Sequence, residues 1–311
     1  MAKYVFGVDI GGTTVKIGFF STSGELLDKW EITTRKDDGG AYILSDIAES
    51  IEDKLSKDGI DKSEIQGVGM GVPGPVKEDG TVIKCVNLGW GVFNAAEELS
   101  SIINLPVKVG NDANMAALGE YWQGGGKGYN SVVMVTLGTG DGGGIIINGK
   151  MLAGVNGAGG EIGHMTIDLD EQDVCNCGKK GCLEQYASAT GIVRLANRAL
   201  QTSDKSSKLR EVKYISAKEI FDAAKGGDTL ATELVEEHGR RLGYALANVA
   251  CVVDPEVFVI GGGVSKAGDI LIDATKKYFQ EYAFHACRNT KFELATLGND
   301  AGMYGGAASI L

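Results

Sequence analysis

The sequence predicts a two-domain α/β protein, and three observations support this prediction. Apolar, strand-like segments alternate with segments of helical periodicity, which is typical of helices packed on a largely parallel sheet. A chain of 311 residues is long for one hydrophobic core and sufficient for two. A strand, a Gly/Thr-rich turn and a second strand open the chain, and the same pattern returns near residue 132.

Residues 4–122 supply the first set of predicted elements. Two apolar strands and the turn between them occupy 4–20, and a turn at Ser23-Gly24 leads to a third strand at 26–33. Apolar residues at helical spacing predict a helix over 42–57. The pattern then predicts a buried strand at 65–72, a helix at 93–103, a strand at 107–110 and a helix at 112–122.

The second half of the chain begins as the first does. Strands are predicted on both sides of a Gly/Thr turn at 138–140, followed by helices over 191–201, 217–224 and 228–251. Asp254-Pro255 ends the long helix, because proline cannot continue it. A buried strand at 257–260, a helix at 269–282, a strand at 292–295 and a helix at 302–311 complete the prediction.

Composition and charge narrow the partners that we expect. The net charge of −11 argues against nucleic acid, because phosphate binding requires basic surfaces. No apolar run approaches the roughly 20 residues of a membrane span, and no leader-like segment opens the sequence. We therefore expect a cytoplasmic protein with reduced thiols, without a membrane or nucleic-acid partner.

One histidine and three cysteines predict a metal site. They fall within 19 residues: His164, Cys175, Cys177 and Cys182. Gly178 and Gly181 permit the tight turns that would bring three thiolates around one ion. A closed set of three sulfurs and one imidazole suits structural Zn²⁺. The alternative is that the cysteines are simply buried or form disulfides.

Two carboxylates, Glu161 and Glu184, bracket this motif. A zinc-bound loop would hold both side chains in fixed positions. Fixed carboxylates are what a site needs to bind the hydroxyl groups of a sugar, so the sequence predicts a sugar site beside the metal.

Three glycine-rich turns, each after a buried strand, favour a nucleotide. They comprise Gly11, Gly12, Thr13 and Thr14; Gly138, Thr139 and Gly140; and Gly261, Gly262 and Gly263. Backbone amides in such turns can bind phosphate oxygens. None fits a P-loop or a dinucleotide fingerprint, and any one of them alone is more often a plain turn than a phosphate site. Lys16 could reach a phosphate or be an ordinary solvated strand lysine.

Several polar residues lie where predicted strands or loops end. Asp112 opens a helix directly after Asn111, so it is either a helix cap or the base that accepts a proton from a sugar hydroxyl. Asp9 ends the first strand and could hold Mg²⁺. Asn87 could donate to a hydroxyl or simply form a turn, and Gly74 lies in a Pro-Gly-Pro loop.

With these motifs in view, the sequence resembles the ROK family of bacterial sugar kinases over nearly its whole length. The motifs that carry the resemblance start at Asp9, Gly71, Asn111, Leu137, Gly160, Cys175 and Gly261. The resemblance implies an actin-like ATPase (ribonuclease H-like) fold, with two domains and an interdomain cleft. It places residues 1–115 and the final helix, 300–311, in a small domain and residues 116–299 in a large one. Dimers or tetramers are common in the family.

The resemblance also implies an activity: ATP-dependent phosphorylation of glucose at its 6-hydroxyl. The alternatives are a kinase for N-acetylmannosamine, allose or fructose, and a non-catalytic, sugar-sensing regulator. Asp112 is the implied base, Mg²⁺ accompanies ATP, and the three glycine-rich turns bind its phosphates, with Asp9 and Lys16 beside them. The implied sugar ligands are Asn111, Glu161, His164 and Glu184, and we expect Gly74 and Asn87 to join them. His164 also serves zinc with the three cysteines.

One residue departs from the family pattern. The position after Gly140 is usually apolar in the family, and here it is Asp141. At about 6 Å, a charge there would repel each unit of phosphate charge by roughly 3 kcal/mol before screening. The sequence leaves two explanations open: Asp141 points away from the phosphates, or it helps to place the metal.

Overall fold

The structure is a computed structural model and describes residues 2–311. Its strands are β1 (Tyr4–Ile10), β2 (Thr14–Ser21), β3 (Leu26–Thr33), β4 (Ile65–Val72), β5 (Thr81–Val82), β6 (Phe93–Asn94), β7 (Val107–Asn111), β8 (Val132–Leu137), β9 (Asp141–Ile147), β10 (Lys150–Met151), β11 (Val257–Gly261) and β12 (Lys291–Leu294). Its α-helices are α1 (Asp37–Gly40), α2 (Ile43–Asp58), α3 (Ala95–Ile103), α4 (Asp112–Gln123), α5 (Glu184–Ala187), α6 (Ala189–Thr202), α7 (Ala217–Lys225), α8 (Thr229–Val253), α9 (Asp269–Tyr282) and α10 (Ala301–Ile310).

The first sheet has the strand order β3-β2-β1-β4-β7. Strands β1, β2 and β3 pair antiparallel, whereas β4 pairs parallel with both β1 and β7. The register aligns Asp9 with Gly71, and Gly71 with Gly110. The carboxyl ends of β1, β4 and β7 therefore meet at one edge of this sheet, where ligands commonly bind in α/β proteins.

The second sheet has the order β10-β9-β8-β11-β12. Strand β11 pairs parallel with β8 and with β12, and Gly261 lies opposite Thr136. Strands β8 and β11 are buried along most of their length, which matches their continuous runs of apolar, mainly β-branched residues. Both lead at the same edge into glycine-rich turns.

The apolar spacing that predicts α2 corresponds to a buried face. Ile43, Ile47, Ile51 and Leu55 are all buried, and Gly59 ends the helix in the left-handed conformation. The predicted start of the next helix at residue 93 is wrong by two residues. Asn94 caps α3 by accepting a hydrogen bond from the Glu97 amide, so the helix begins at Ala95 and β6 precedes it.

Small residues let α10 pack closely on its neighbours. A side chain at Gly305 would place its Cβ 1.6 Å from the carbonyl oxygen of Met115 in α4, and one at Gly306 would lie 2.4 Å from that of Gly69 in β4. Glycine is required at both positions because the backbones are in direct contact. The C-terminal helix is thereby fixed on the first sheet and on α4.

The long helix α8 begins and ends as the sequence suggests. Asp228 caps its first turn through the Ala231 amide, and Asp254 ends it in a left-handed conformation just before Pro255. Within residues 2–311, no helix combines the length and the apolar character that crossing a bilayer requires.

The chain forms two compact units. The first contains residues 1–129, 144–160 and 296–311, and the second contains 130–143 and 161–295. Contacts within the chain thus place residues 116–129 with the first unit, whereas the sequence-based division began the large domain at 116. The division into domains at 1–115 with 300–311 and at 116–299, and the cleft between them, stay predictions.

Candidate active site and metal centre

Two acidic residues of the first unit lie at the carboxyl edge of the first sheet. Asp9 is the penultimate residue of β1, and Asp112 follows β7 as the first residue of α4. Asn111 positions the helix start, because its side-chain oxygen accepts from the amides of Ala113 and Asn114 at 2.9 and 3.2 Å. The helix cap is therefore Asn111 and not Asp112, which lies in the first turn of α4.

The environment of Asp9 favours its neutral form. Burial is the largest of the causes that raise the pKa of Asp9 to about 6, the Asp112 carboxylate and then that of Asp300 add to it, and Lys16 opposes them. Lys16 is the register partner of Asp9 across β1 and β2, and its ammonium donates to the Asn299 carbonyl at 2.7 Å. An acid held among like charges is well suited to bind a cation.

The loop residues expected beside the sugar differ in their surroundings. Asn111 Nδ2 donates to the Gly74 carbonyl at 3.1 Å, so these two predicted residues are brought together. Gly74 has a φ of +155°, and a Cβ there would lie 2.6 Å from the Lys84 carbonyl oxygen, which explains the glycine. Asn87 lies exposed in a short 3-10 turn, Val86–Leu88.

The first glycine-rich turn is closed by its own backbone. The Gly11 amide donates to the Thr14 carbonyl at 2.9 Å, and the Thr34 hydroxyl donates to the Gly11 carbonyl at 2.7 Å. The sequence does not predict this contact, because no motif near Thr34 marks it as a partner of a turn 23 residues earlier. The amides of Gly12 and Thr13 remain the candidates for phosphate binding.

The other two glycine-rich turns lie side by side in the second unit. Gly262 has a φ of +81°, and a Cβ there would lie 2.5 Å from the carbonyl oxygen of Leu137, the last residue of β8. In the turn after β8, the Thr139 carbonyl accepts from the Thr190 hydroxyl at 2.6 Å. Parallel pairing of β8 with β11 thus brings together two turns that are more than 100 residues apart in the chain.

The four predicted metal ligands converge. One ligand atom from each of His164, Cys175, Cys177 and Cys182 lies within 4.8 Å of every other. Cys177 Sγ is 3.6 Å from Cys182 Sγ, and Cys175 Sγ is 3.9 Å from His164 Nδ1. Ligands of a tetrahedral zinc ion at about 2.3 Å would be separated by about 3.8 Å, so the set fits zinc.

All six cysteines are free, so the alternative of disulfide bonds is wrong.

Both bracketing carboxylates lie beside the imidazole. His164 Nδ1 is 3.7 Å from Glu184 Oε1, and His164 Nε2 is 4.0 Å from Glu161 Oε2. Glu184 also approaches the turn after β8, since a Cβ on Gly140 would lie 2.6 Å from Glu184 Oε2. Because residue 140 is a glycine, no side chain competes with this carboxylate for the same space.

Asp141 is buried rather than directed into solvent. It is the first residue of β9, it is 6% exposed, and no group within residues 2–311 lies within hydrogen-bonding distance of either carboxylate oxygen. Burial, with a smaller contribution from Glu184, raises the pKa of Asp141 well above its ordinary value. The shift favours the neutral form of the carboxyl group, and the neutral form does not repel phosphate.

Taken together, the fold and these groups define a class of protein. Glycine-rich turns at strand ends, acidic residues at the carboxyl ends of parallel strands and a His/Cys₃ cluster beside two carboxylates are the parts of a phosphotransferase that acts on a polyhydroxylated substrate. Comparison with known proteins identifies the family within this class.

The ROK family model matches residues 5–311, and the chain belongs to the ROK family. It is 47% identical over 310 residues to a glucokinase of Halalkalibacterium halodurans, with 98% of this chain and 94% of that protein covered. A ROK family glucokinase of Streptomyces griseus, solved with glucose and AMPPNP, matches at 35% identity and a TM-score of 0.72, with 98% of each chain covered. A ROK hexokinase of Thermus thermophilus matches at 32% identity and a TM-score of 0.79, with 98% and 97% covered.

ROK sugar kinases have the actin-like ATPase fold, and this chain shares it. The fold and the family that the motifs predict are thereby confirmed.

Proposed function

We propose that this protein is a glucokinase, which transfers the γ-phosphoryl group of ATP to the 6-hydroxyl of glucose. The observation that carries the proposal is the 47% identity to a glucokinase over 98% of the chain. The residues proposed for the reaction all lie at strand ends, helix starts or short turns, where side chains and amides are available to ligands.

In the proposed reaction, Asp112 is the general base. The oxygen of the 6-hydroxyl forms a bond to the γ-phosphorus, the bond from that phosphorus to the bridging oxygen of ADP breaks, and the hydroxyl proton passes to the Asp112 carboxylate. Helix α4 is held by the Asn111 cap, so its first residue is fixed at the sheet edge. Such positioning is the main contribution of a protein to phosphoryl transfer.

The sugar and the nucleotide have separate proposed ligands. Gly74, Asn87, Asn111, Glu161, His164 and Glu184 are proposed to contact the sugar. The turns at 11–14, 138–140 and 261–263 are proposed to bind the phosphates, with Lys16 nearby. Carboxylates and amides suit hydroxyl groups, and backbone amides suit phosphate oxygens.

Two metal ions belong to the proposal. Mg²⁺, bound with ATP, neutralises the charge of the phosphates, and Asp9 is the residue proposed to hold it. Zn²⁺, held by His164 and the three cysteines, would act as a structural ion that fixes the loop between them. We further propose that the protein is cytoplasmic and forms dimers or tetramers.

The test is ATP-dependent ADP release with glucose, mannose, fructose, allose, N-acetylglucosamine and N-acetylmannosamine. We expect a clear preference for glucose. Replacing Asp112 by Asn should lower kcat by roughly 100- to 10,000-fold while glucose still binds, because the amide cannot accept the proton.

Asp53→Asn is the matched control, since Asp53 is an exposed acid on α2, and it should keep full activity. Turnover with a different sugar, and none with glucose, would show that the different sugar is the substrate. Full activity in Asp112→Asn would exclude Asp112 as the base, and no turnover with any sugar would favour a regulatory role.

Replacing Cys177 by Ala should remove the bound zinc and raise KM for glucose by roughly threefold to tenfold, because the loop between His164 and Glu184 loses its metal. Zinc content measured by mass spectrometry and glucose affinity measured by calorimetry test this. Cys251→Ala is the control, since Cys251 is an exposed cysteine outside the cluster. A metal-free variant with unchanged glucose affinity would show that the cluster does not support the sugar site.

A further inference from the structure

A second set of contacts in the second unit surrounds Tyr186, two residues after Glu184. The phenol oxygen lies 2.7 Å from Glu171 Oε2 and 3.0 Å from Asp168 Oδ2, and its proton faces both carboxylates. The residue is 2% exposed. The guanidinium carbons of Arg241 and Arg194 lie 4.4 and 5.1 Å from the centre of its ring, close enough for cation–π contact.

Arginines pair with both carboxylates. Arg198 donates to both oxygens of Glu171, at 3.2 and 3.0 Å, and Arg241 donates to Asp168 at 3.0 Å. The hydrogen bond from Arg198 is the largest of the causes that hold the pKa of Glu171 well below its usual range. A buried phenol that donates to an ionised, arginine-paired carboxylate forms a strong, charge-assisted hydrogen bond.

These carboxylates belong to the segment that carries the cysteines. We call residues 165–183 the metal loop. Asp168 and Glu171 lie in its first half, between His164 and Cys175. Arg198 in α6 and Arg241 in α8 fix this half of the loop to two helices, without any contribution from sulfur or imidazole.

The helix that follows the metal loop also depends on such contacts. Helix α5 has only four residues, and an isolated helix of this length is unstable because nucleation costs more than so few hydrogen bonds return. The Gln185 carbonyl accepts from Arg194 Nη2 at 2.9 Å, and the Ala187 carbonyl accepts from His238 Nε2 at 2.8 Å. His238 is fully buried in α8, and burial lowers its pKa to about 4, so it is neutral near pH 7.

We propose that Tyr186 is a positioning residue for the metal loop. By joining Asp168 and Glu171 to α5, its hydroxyl keeps the loop closed, and Cys182 and Glu184 in place, when the metal is absent. The part that concerns sugar binding rests on the proposed function, because Glu184 is a proposed sugar ligand. The part that concerns the loop rests on the contacts alone.

The variant that tests this is Tyr186→Phe, which keeps the ring beside the two guanidinium groups and removes only the hydroxyl. The matched control is Tyr278→Phe. Tyr278 also donates its hydroxyl to a carboxylate, Glu236 Oε2 at 2.8 Å, but it lies on α9 and its hydrogen bond joins α9 to α8 rather than to the metal loop. A global effect of losing a hydrogen bond from a phenol to a carboxylate would appear in both variants.

The first measurement is limited trypsin digestion of the full-length protein, with and without 1,10-phenanthroline. Lys179 and Lys180 are exposed on the metal loop, and mass spectrometry identifies cleavage after either one. Cleavage reports local opening of the loop. Because a hydrogen bond to a charged group is lost, cleavage of metal-depleted Tyr186→Phe should be about tenfold faster than that of metal-depleted wild type and of Tyr278→Phe.

The result that overturns the proposal is equal cleavage of all three metal-depleted proteins. Equal cleavage at a high rate would mean that the metal alone keeps the loop closed. Equal cleavage at a low rate would mean that other contacts keep it closed without the hydroxyl.

The second measurement is calorimetric binding of glucose to the same proteins. Metal-depleted wild type should lose roughly threefold to tenfold in affinity, as Cys177→Ala does, whereas metal-depleted Tyr186→Phe should lose about tenfold more, and added zinc should restore both. Comparable losses in both metal-depleted proteins would overturn the role of Tyr186 toward Glu184. If no protein binds glucose, the proposed function fails, while the digestion result still decides the role of Tyr186 in the loop.

Discussion

The hairpins β1–β2 and β8–β9 share a strand–turn–strand pattern, but the acidic residues beside their turns lie in different electrostatic surroundings. In the first hairpin, Asp9 precedes the turn, lies opposite Lys16 and has a pKa of about 6. In the second hairpin, Asp141 follows the turn, 6% exposed, and its pKa is raised well above the ordinary value. Asp9 therefore ionises below neutral pH and can serve a cation, whereas the surroundings of Asp141 favour its neutral form.

The comparison teaches that the position of an acid relative to a turn matters less than the charges around it. The pKa of Asp9 is raised by burial and by two carboxylates, but Lys16 limits the rise. No cation contributes to the shift of Asp141, whose causes are burial and Glu184. The same residue type beside similar turns thus has different chemistry.

The largest expected difference between the two hairpins is in activity. Asp9→Asn should lower kcat/KM for MgATP by about 100-fold, because an amide is a weaker partner for Mg²⁺ or its bound water. Asp141→Asn should change it less than about threefold, because neither oxygen of the buried Asp141 carboxyl group has a hydrogen bond within residues 2–311 that the amide would lose. Steady-state kinetics over a range of Mg²⁺ concentrations measures both, and similar losses in the two variants would contradict the comparison.

The second difference is in stability as a function of pH. Asp9 has a folded-state pKa of about 6 and an ordinary value of 3.8, so its contribution to stability is complete below 3.8 and is lost as the pH rises through 6. In Mg²⁺-free buffer, the stability of Asp9→Asn relative to wild type should therefore rise by about 2.4 kcal/mol between pH 4 and pH 7.5.

Urea unfolding of wild type and Asp9→Asn at several pH values tests this, and Asp53→Asn serves as the exposed control. A stability difference that does not change with pH would show that Asp9 ionises in the folded protein as it does in the unfolded chain.

The smallest effect concerns the buried acid of the second hairpin. Asp141→Val should stabilise the protein by about 1 kcal/mol at pH 7.5, because an apolar side chain of similar size replaces a buried polar group without partners. Since the pKa of Asp141 is raised, the advantage of valine should grow as the pH rises. Thermal unfolding at pH 6 and pH 8.5 measures it, and a destabilised variant would indicate that Asp141 has a polar partner.

Much of the fold and of the metal centre was predictable from local patterns. The four ligands lie within 19 residues, so their meeting requires only a short loop, and the glycines at 178 and 181 both have the positive φ that the turns need. The boundary of α3 was less predictable, because Phe93 and Asn94 pair with β5, and this pairing is set by tertiary structure.

The contacts that the sequence did not reveal are those between distant segments. Glu171 and Tyr186 are 15 residues apart, but the arginines that complete their network come from α6 and α8, and no spacing rule links them. Thr34 and Gly11 are a similar case in the first unit. Such partners depend on how the helices pack against each other, and the spacing of apolar residues within one segment does not determine that packing.

By itself, the sequence determined the alternation of elements, the ROK family and the ligand types of the metal centre, because apolar periodicity, glycine-rich turns and Cys/His spacing are local properties of the chain. Only the tertiary structure decided how the pKa of each acid shifts and which residues contact the metal loop. The pKa of a carboxyl group depends on its burial and on neighbouring charges, and both are set by segments far away in the sequence.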